Sequence, residues 1–142
     1  MNTFVQLRSQ FFLISILLCM VKGFCCAQVS QKAYQTIVVG DTEVLKIAIE
    51  GAVVEVKPTK GRRVLVETSV VLSVPNQALL DFVVKKGRYN LDQMMDAANR
   101  TFSLASPKGQ NVIIVKGEEC EERISYIVYV PEGIRVDQLG SK

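Results

Sequence analysis

Apolar side chains recur at every second position over much of this chain. In the stretch "VLKIAIEG", Leu45, Ile47 and Ile49 alternate with more polar positions, which is the pattern of a strand with one buried face. Gly51 permits a sharp corner before the alternation resumes in "VVEVKP". The longest alternating run, "RRVLVETSVVLSV", places six residues on one predicted core face: Val64, Val66, Thr68, Val70, Leu72 and Val74.

The segments that begin at residues 44, 53 and 62 resemble three successive rungs of one strand pattern. In the second of them, Val54 and Val56 are predicted to point inward. A turn at "TKGR", in which Gly61 can take an unusual backbone conformation, leads into the third. The pattern therefore predicts consecutive strands over the first half of the chain, beginning with "TIVVG" after the polar stretch "QVSQKAYQ".

A change of period after residue 75 predicts one short helix at about residues 77–86. Leu79, Phe82 and Val83 are spaced as on one helical face, and Asn76 is a suitable N-cap. Gly87 stands where a helix commonly ends. Strands are predicted to return in "RYNLDQM", "TFSLAS", "NVIIVKG" and "RISYIVYV".

The last of these strands is apolar on both faces, which predicts a central position in a sheet. The tail "IRVDQLGSK" is predicted to be a short edge strand or an irregular end. We therefore predict an all-β fold, with twisted sheets arranged as a sandwich or a short β-solenoid-like stack, and one short helix.

Residues 1–27 are typical of a secretory signal peptide. Arg8 precedes an uncharged apolar run from Phe11 to Val21, and cleavage is predicted after Ala27. A rival interpretation makes Cys25 or Cys26 the lipid-carrying first residue of a lipoprotein. In either case we expect a single exported domain over residues 28–142, in the periplasm or at the cell surface.

Charge and cysteine content change once the leader is set aside. The leader holds two of the 17 basic residues and none of the 14 acidic ones, so no strong basic character remains to suggest nucleic acid as a partner. Three of the four cysteines also lie in the leader, which leaves Cys120 without a partner for an internal disulfide.

The absence of histidine excludes the usual serine and cysteine nucleophile mechanisms and removes the commonest zinc ligand. No phosphate-binding glycine loop is present. Paired carboxylates remain, since glycosidases need no histidine. The two acidic groups are Glu118, Glu119, Glu121 and Glu122, and, as a distant second, Asp92 with Asp96.

The stretch "EECEE" at residues 118–122 admits two interpretations. It can offer carboxylates to Ca²⁺, although calcium loops favour alternating Asp and Asn with a glycine. The preferred interpretation is a charged connection between strands that stays solvated and discourages edge pairing, with Cys120 turned inward as a small apolar residue. We therefore expect no catalytic, cofactor-binding or metal-binding residue here.

Three further groups admit a binding role beside a plainer one. Lys60 with Arg62 and Arg63 is a basic turn, and Lys85, Lys86 and Arg88 form a basic helix end; each can contact an anionic lipid or glycan, or simply be solvated. Tyr126 and Tyr129 can stack on a sugar, but burial or a place on a sheet face is the preferred interpretation. "NRT" at residues 99–101 matches a glycosylation sequon.

The runs "EVLKIAIEGAVVEVKPTKGRRVLVETSVVLS" and "ISYIVYVPEGIRVD" resemble bacterial adhesin-like families of unknown function that have β-solenoid heads, in particular small exported members of the Bacteroidota type. The matching features are the strand and corner at Ile47–Gly51, the strand at Val53–Val56, the strand at Arg63–Glu67, and Tyr126–Pro131 followed by Gly133–Val136. The resemblance implies an all-β head in the cell envelope and no known catalytic residue.

Together these features predict a non-catalytic binding or structural domain of the bacterial envelope. One alternative is a carbohydrate-binding or carbohydrate-processing envelope protein. Another is a subunit whose fold is completed by a partner strand. The expected partners are an envelope protein, a glycan or a second copy joined through edge strands.

Overall fold

A computed structural model describes residues 28–108 and 111–139. The predicted signal peptide and the alternative lipid site at Cys25 or Cys26 lie outside the described residues. The elements in chain order are β1 (Val29–Ile37), β2 (Val44–Ala48), β3 (Val53–Thr59), β4 (Val64–Leu72), α1 (Gln77–Lys85), β5 (Asp92–Asp96), β6 (Thr101–Ala105), β7 (Ile113–Val115), β8 (Glu118–Cys120), β9 (Glu122–Pro131) and β10 (Arg135–Gln138).

The predicted fold class is confirmed: the described chain is all-β with a single short helix. Strands β1, β4, β9 and β3 form, in that order, a four-stranded sheet that we call the long sheet. Strands β10, β2, β6 and β5 form a second four-stranded sheet, the short sheet, and β7 pairs with β8 as a hairpin. As predicted, β9 is a central strand and β10 is an edge strand.

Parallel and antiparallel pairs are mixed in both sheets. β3 runs parallel to β9, while β2 runs parallel to both β10 and β6. β4 is antiparallel to β1 and to β9. The predicted stacking of the segments from 44, 53 and 62 as successive rungs is therefore wrong, because β2 lies in the other sheet and β9 separates β3 from β4.

The two sheets pack face to face around one apolar core, which we call the sandwich core. The long sheet contributes Val64, Val66, Tyr126, Val128 and Val130, and the short sheet contributes Leu45, Ile47, Phe102 and Leu104. Residues of one parity in each strand supply these contacts, as the period-2 pattern predicted.

The long sheet extends beyond the short one, and a second core covers the remainder of its inner face. Strands of nine and ten residues span about 30 Å, whereas those of five span about 16 Å. Helix α1 and the β7–β8 hairpin cover the part left over. This helix core contains Val70, Leu72, Leu80, Tyr89 and Cys120.

Helix α1 begins and ends as the sequence predicted. The Asn76 side chain accepts a hydrogen bond from the Leu79 amide at 3.0 Å, and Gly87 follows the helix with φ = 75°. Leu79 and Val83 pack against the helix core as predicted, but the prediction was wrong for Phe82, which is 59% exposed, while Leu80 is fully buried. The face of the helix that packs on the core is therefore centred nearer Leu80 and excludes Phe82.

Two strand boundaries differ from the predicted ones. The stretch expected to be a polar lead-in forms most of β1, in which the inward positions Gln31, Ala33 and Gln35 are half-buried and Ile37 is buried. The Gln35 side-chain amide exchanges two hydrogen bonds with the backbone of Leu91, which satisfies a polar group at the edge of the core. The strand predicted at "RYNLDQM" begins only at Asp92, since Arg88 and Tyr89 contact Glu122 instead.

No helix among the described residues has the length and apolarity needed to cross a membrane.

Candidate ligand-binding site

The four glutamates of the acidic stretch at residues 118–122 differ in their exposure and contacts. Glu118, Glu119 and Glu121 are exposed, as expected of a solvated connection. The stretch is nonetheless structured, because Glu118–Cys120 forms strand β8. Cys120 is 3% exposed and lies in the helix core, which confirms the prediction that it points inward.

Glu122 is the exception, and the solvated interpretation is wrong for it. Its two carboxylate oxygens accept hydrogen bonds from Arg88, with Nε–Oε1 at 2.9 Å and the second guanidinium nitrogen to Oε2 at 2.7 Å. The Tyr89 hydroxyl donates to Oε1 at 2.6 Å. Arg88 also donates to the Asn111 carbonyl at 2.7 Å, so one guanidinium joins three segments of the chain.

The electrostatics of this cluster follow from its contacts. Burial alone would raise the pKa of the Glu122 carboxyl, but the hydrogen bonds from Arg88 and Tyr89 outweigh it, so the pKa lies below its ordinary value. Burial, and then the hydrogen bond to Glu122, raises the pKa of Tyr89. Burial, and then the charge of Glu122, raises the pKa of Tyr126 to about 12.

This cluster is therefore a structural lock between the turn that follows helix α1 and strand β9. Tyr126 extends it by donating a hydrogen bond from its hydroxyl to the Tyr89 carbonyl at 3.2 Å. The sequence pattern does not reveal this lock, because Arg88 and Glu122 are 34 residues apart. The only signal was that the helix ends in basic residues and the apolar strand begins with an acidic one.

The second acidic pair also falls on the surface. Asp92 and Asp96 are exposed on β5, an edge strand. Asp96 accepts hydrogen bonds from the Asn99 side chain at 2.7 Å and from its amide at 3.2 Å, and these contacts lower the pKa of Asp96. The sequon asparagine therefore lies in a turn, held by a carboxylate. Within the described chain, no group of three or more potential metal-ligating side chains comes together.

One end of the sandwich carries a groove where three connections meet. We call it the loop groove: its walls are Val39, Gly40 and Thr42 from the β1–β2 connection, residues 59–62 from the β3–β4 turn, and residues 131–134 from the β9–β10 corner. Its volume is about 560 Å³. The corner is fixed by Gly133, with φ = 96°, and by the Glu132 amide, which donates to the Thr59 carbonyl at 3.0 Å.

The charged side chains on this groove are Lys60, Arg62 and Glu132, which leaves an excess of one positive charge. In the described part of the chain, the observed ion pairs involve other groups. Lys60 and Arg62 therefore lie on an exposed turn, and the observed ion pairs do not neutralise their charges. A groove of this kind suits a carboxylate, sulfate or phosphate group.

The predicted basic helix end lines another groove, which we call the helix groove. Phe82, Lys86, Arg88 and Lys108 are among its walls, and its volume is about 430 Å³. The Lys86 ammonium lies 5.6 Å from the centroid of the Phe82 ring. Since Arg88 is committed to Glu122 and Asn111, less of this positive charge is available to a ligand.

The two tyrosines singled out from the sequence lie on opposite sides of the long sheet. Tyr126 is buried in the sandwich core, and Tyr129 is half-buried on the outer face. This arrangement confirms that they are core and sheet-face residues, and it leaves Tyr129 alone of the two accessible from solvent.

Comparisons of the chain with protein-family models, curated proteins and solved structures gave no match.

Proposed function

We propose that this chain is a non-catalytic, adhesin-like binding domain exported to the bacterial envelope, and that the loop groove binds an anionic surface ligand such as an acidic glycan. The observation that carries the proposal is the meeting of three connections around Lys60 and Arg62. Loops on a rigid sheet scaffold are where binding residues are most often found.

The adhesin-like part of the proposal is supported by how the two stretches that carry the family resemblance pair with each other. The stretch containing β2 and β3 and the stretch containing β9 and β10 lie side by side, with β3 parallel to β9 and β2 parallel to β10. Parallel pairing of two such segments in both of the facing sheets is the kind of pairing that solenoids repeat.

A binding role fits the chemistry of the chain better than catalysis does. The sequence has no histidine, and Glu122, the most buried member of its acidic group, is held by Arg88 and Tyr89. Each groove described above has at most one carboxylate on its walls, whereas glycoside hydrolysis uses two facing carboxyl groups.

The test uses the full chain produced with its leader in a bacterial host and recovered from the envelope fraction. Mass spectrometry of its N-terminus is expected to give Gln28 as the first residue. The protein is then titrated at low ionic strength with a soluble polygalacturonate, and binding is followed by calorimetry. We expect binding that weakens steeply as salt is added.

The decisive comparison is between two double variants of equal charge change. Lys60→Gln with Arg62→Gln is expected to weaken polygalacturonate binding about tenfold or more, since a charge-assisted hydrogen bond contributes about 1.5–3 kcal/mol. Lys85→Gln with Lys86→Gln, at the helix end, is expected to leave it within about twofold. Equal losses in both would show nonspecific attraction and contradict the loop groove as the site.

A further inference from the structure

The outer face of the long sheet carries aromatic and charged side chains that the loop groove does not use. The strand register places Tyr34 opposite Glu67 and Glu67 opposite Ile127, while Leu65 lies opposite Tyr129. We call this surface the tyrosine face and define it by Lys32, Tyr34, Leu65, Glu67, Ile127 and Tyr129. The inner positions of the same strands face the two cores.

Two tyrosine rings stand on this face at a fixed separation. Tyr34 lies on β1 and Tyr129 on β9, two strands apart and offset by one two-residue step. Ordinary sheet spacings put their Cα atoms about 12 Å apart. Tyr34 is 61% exposed and Tyr129 is half-buried, so both offer ring surface to a ligand that spans the gap.

A carboxylate lies on β4, the strand between those of the two tyrosines. The Glu67 side chain is only 12% exposed although it points away from the core, and it accepts a hydrogen bond from the Lys32 ammonium at 2.5 Å. That hydrogen bond raises the pKa of Lys32, and the strand register places Tyr34 and Tyr129 near the pair on the same face. The two tyrosines, the lysine and the glutamate therefore form one cluster.

The charges nearest the two tyrosines are paired, while the exposed Arg123 lies farther along β9, opposite Val71. Lys32 pairs with Glu67, and Lys57 pairs with Glu55 at 3.3 Å on the neighbouring strand β3. A patch whose nearest charges are paired in this way suits an uncharged ligand. The core of a protein–protein interface is usually depleted of Lys and Glu, whereas here these residues are interleaved with the apolar ones. A hydroxyl-rich ligand keeps such groups hydrogen-bonded and hydrated.

We propose that the tyrosine face binds a neutral polysaccharide, with sugar rings against Tyr34 and Tyr129 and sugar hydroxyl groups on Glu67 and Lys32. Tyrosine suits this role because it offers a rigid apolar surface with a polar end. This site is distinct from the loop groove, and its ligand differs in charge from the one proposed there.

The test is affinity electrophoresis of the full chain in gels that contain either a soluble neutral β-glucan or a soluble neutral mannan. We expect retardation by at least one of them. Tyr34→Ala is expected to weaken the interaction about tenfold, which is the change that follows from losing one stacked ring. Tyr129→Phe, which keeps the ring, is expected to retain most of it.

The matched control is Phe82→Ala, which removes an equally exposed aromatic side chain from helix α1. It is expected to leave retardation unchanged, as is the double variant Lys60→Gln with Arg62→Gln. Binding to the neutral polysaccharide is also expected to be insensitive to salt. Failure of this proposal is therefore distinguishable from failure of the loop groove.

Three results would overturn the proposal. The first is no retardation by either polysaccharide, and the second is an equal loss in Phe82→Ala and Tyr34→Ala. The third is a concentration-dependent dimer, seen by sedimentation, that Tyr34→Ala abolishes, since this would make a second copy of the chain the occupant of the face.

Discussion

The inner face of the long sheet is covered in two different ways along its length. At one end, the sandwich core closes it with Leu45, Ile47 and other side chains from a second sheet. At the other end, the helix core closes it with Leu80 of helix α1 and with Cys120 of the hairpin. A single alternating strand, β4, contributes buried residues to both.

An alternating pattern does not decide which element covers the buried face. Alternation requires that one face be covered but does not say by what, so a second sheet and a helix serve equally well. The strands that enclose the sandwich core are held together by backbone hydrogen bonds within two four-stranded sheets. The helix core has only short elements above it, and the Arg88–Glu122 pair ties them to β9. We therefore expect the helix core to open before the sandwich core.

The largest expected effects come from truncating one leucine in each core. Leu104→Ala and Leu80→Ala each remove a fully buried side chain and are expected to lower the free energy of unfolding by about 2–5 kcal/mol. The two should differ in hydrogen exchange. Leu80→Ala is expected to speed amide exchange first in residues 77–91, whereas Leu104→Ala speeds it throughout both sheets.

Phe82→Ala serves as the control for both, because its exposed ring is expected to contribute less than about 0.5 kcal/mol. Uniformly faster exchange in Leu80→Ala would show that the two cores unfold as one unit, and would contradict the expectation that the helix core opens first.

The Arg88–Glu122 lock gives the next effect, and it depends on pH. Glu122→Gln is expected to lower the free energy of unfolding by about 1–3 kcal/mol at pH 7, because it leaves Arg88 with a neutral partner. The folded chain lowers the pKa of Glu122, so this contribution is complete above about pH 5 and disappears as pH falls through the folded-state pKa. Urea unfolding between pH 3 and pH 7 measures both quantities.

Asp96→Asn is the matched control, since hydrogen bonds lower the pKa of that exposed carboxyl as well. It is expected to remove only a small part of the acid dependence. If the difference in free energy of unfolding between wild type and Glu122→Gln stayed constant down to pH 3, the result would argue against the lock.

The N-cap of helix α1 is expected to make a smaller contribution to stability, confined to the helix core. Asn76→Ala removes the acceptor for the Leu79 amide and is expected to lower the free energy of unfolding by about 1 kcal/mol, while Asn76→Ser, which retains a capping oxygen, is expected to recover most of it. The loss should appear in hydrogen exchange of α1 and leave the sandwich core unchanged. Equal losses in the two variants would show that the cap contributes through the backbone instead.

Local signals made much of the fold predictable. The alternation at Val64–Leu72, the capping residue Asn76 and the glycine after the helix each act within a few residues, so the sequence shows them directly. The prediction of Phe82 in the helix interface was wrong because three apolar positions within one turn define a face only approximately, and the neighbouring Leu80 fits the gap beside Val70 and Leu72.

The candidate sites were visible only in part. The basic turn at Lys60 and Arg62 stood out in the sequence, but nothing local showed that residues 39–42 and 131–134 would complete a groove around it. The tyrosine face was hidden for the same reason. Tyr34 lies in a stretch that looked like a polar lead-in, and its neighbours Glu67 and Tyr129 reach it only through strand register.

By itself, the sequence determined that the chain would form strands with one buried face, where the helix would begin and end, and that Cys120 would be buried. These outcomes depend on side-chain period and on backbone preferences, which are local properties. Tertiary structure alone decided which strands are neighbours, which acidic residue is engaged and which tyrosines share a face. Such outcomes depend on pairing between residues tens of positions apart, and a one-residue change of register would send every one of those side chains to the opposite side.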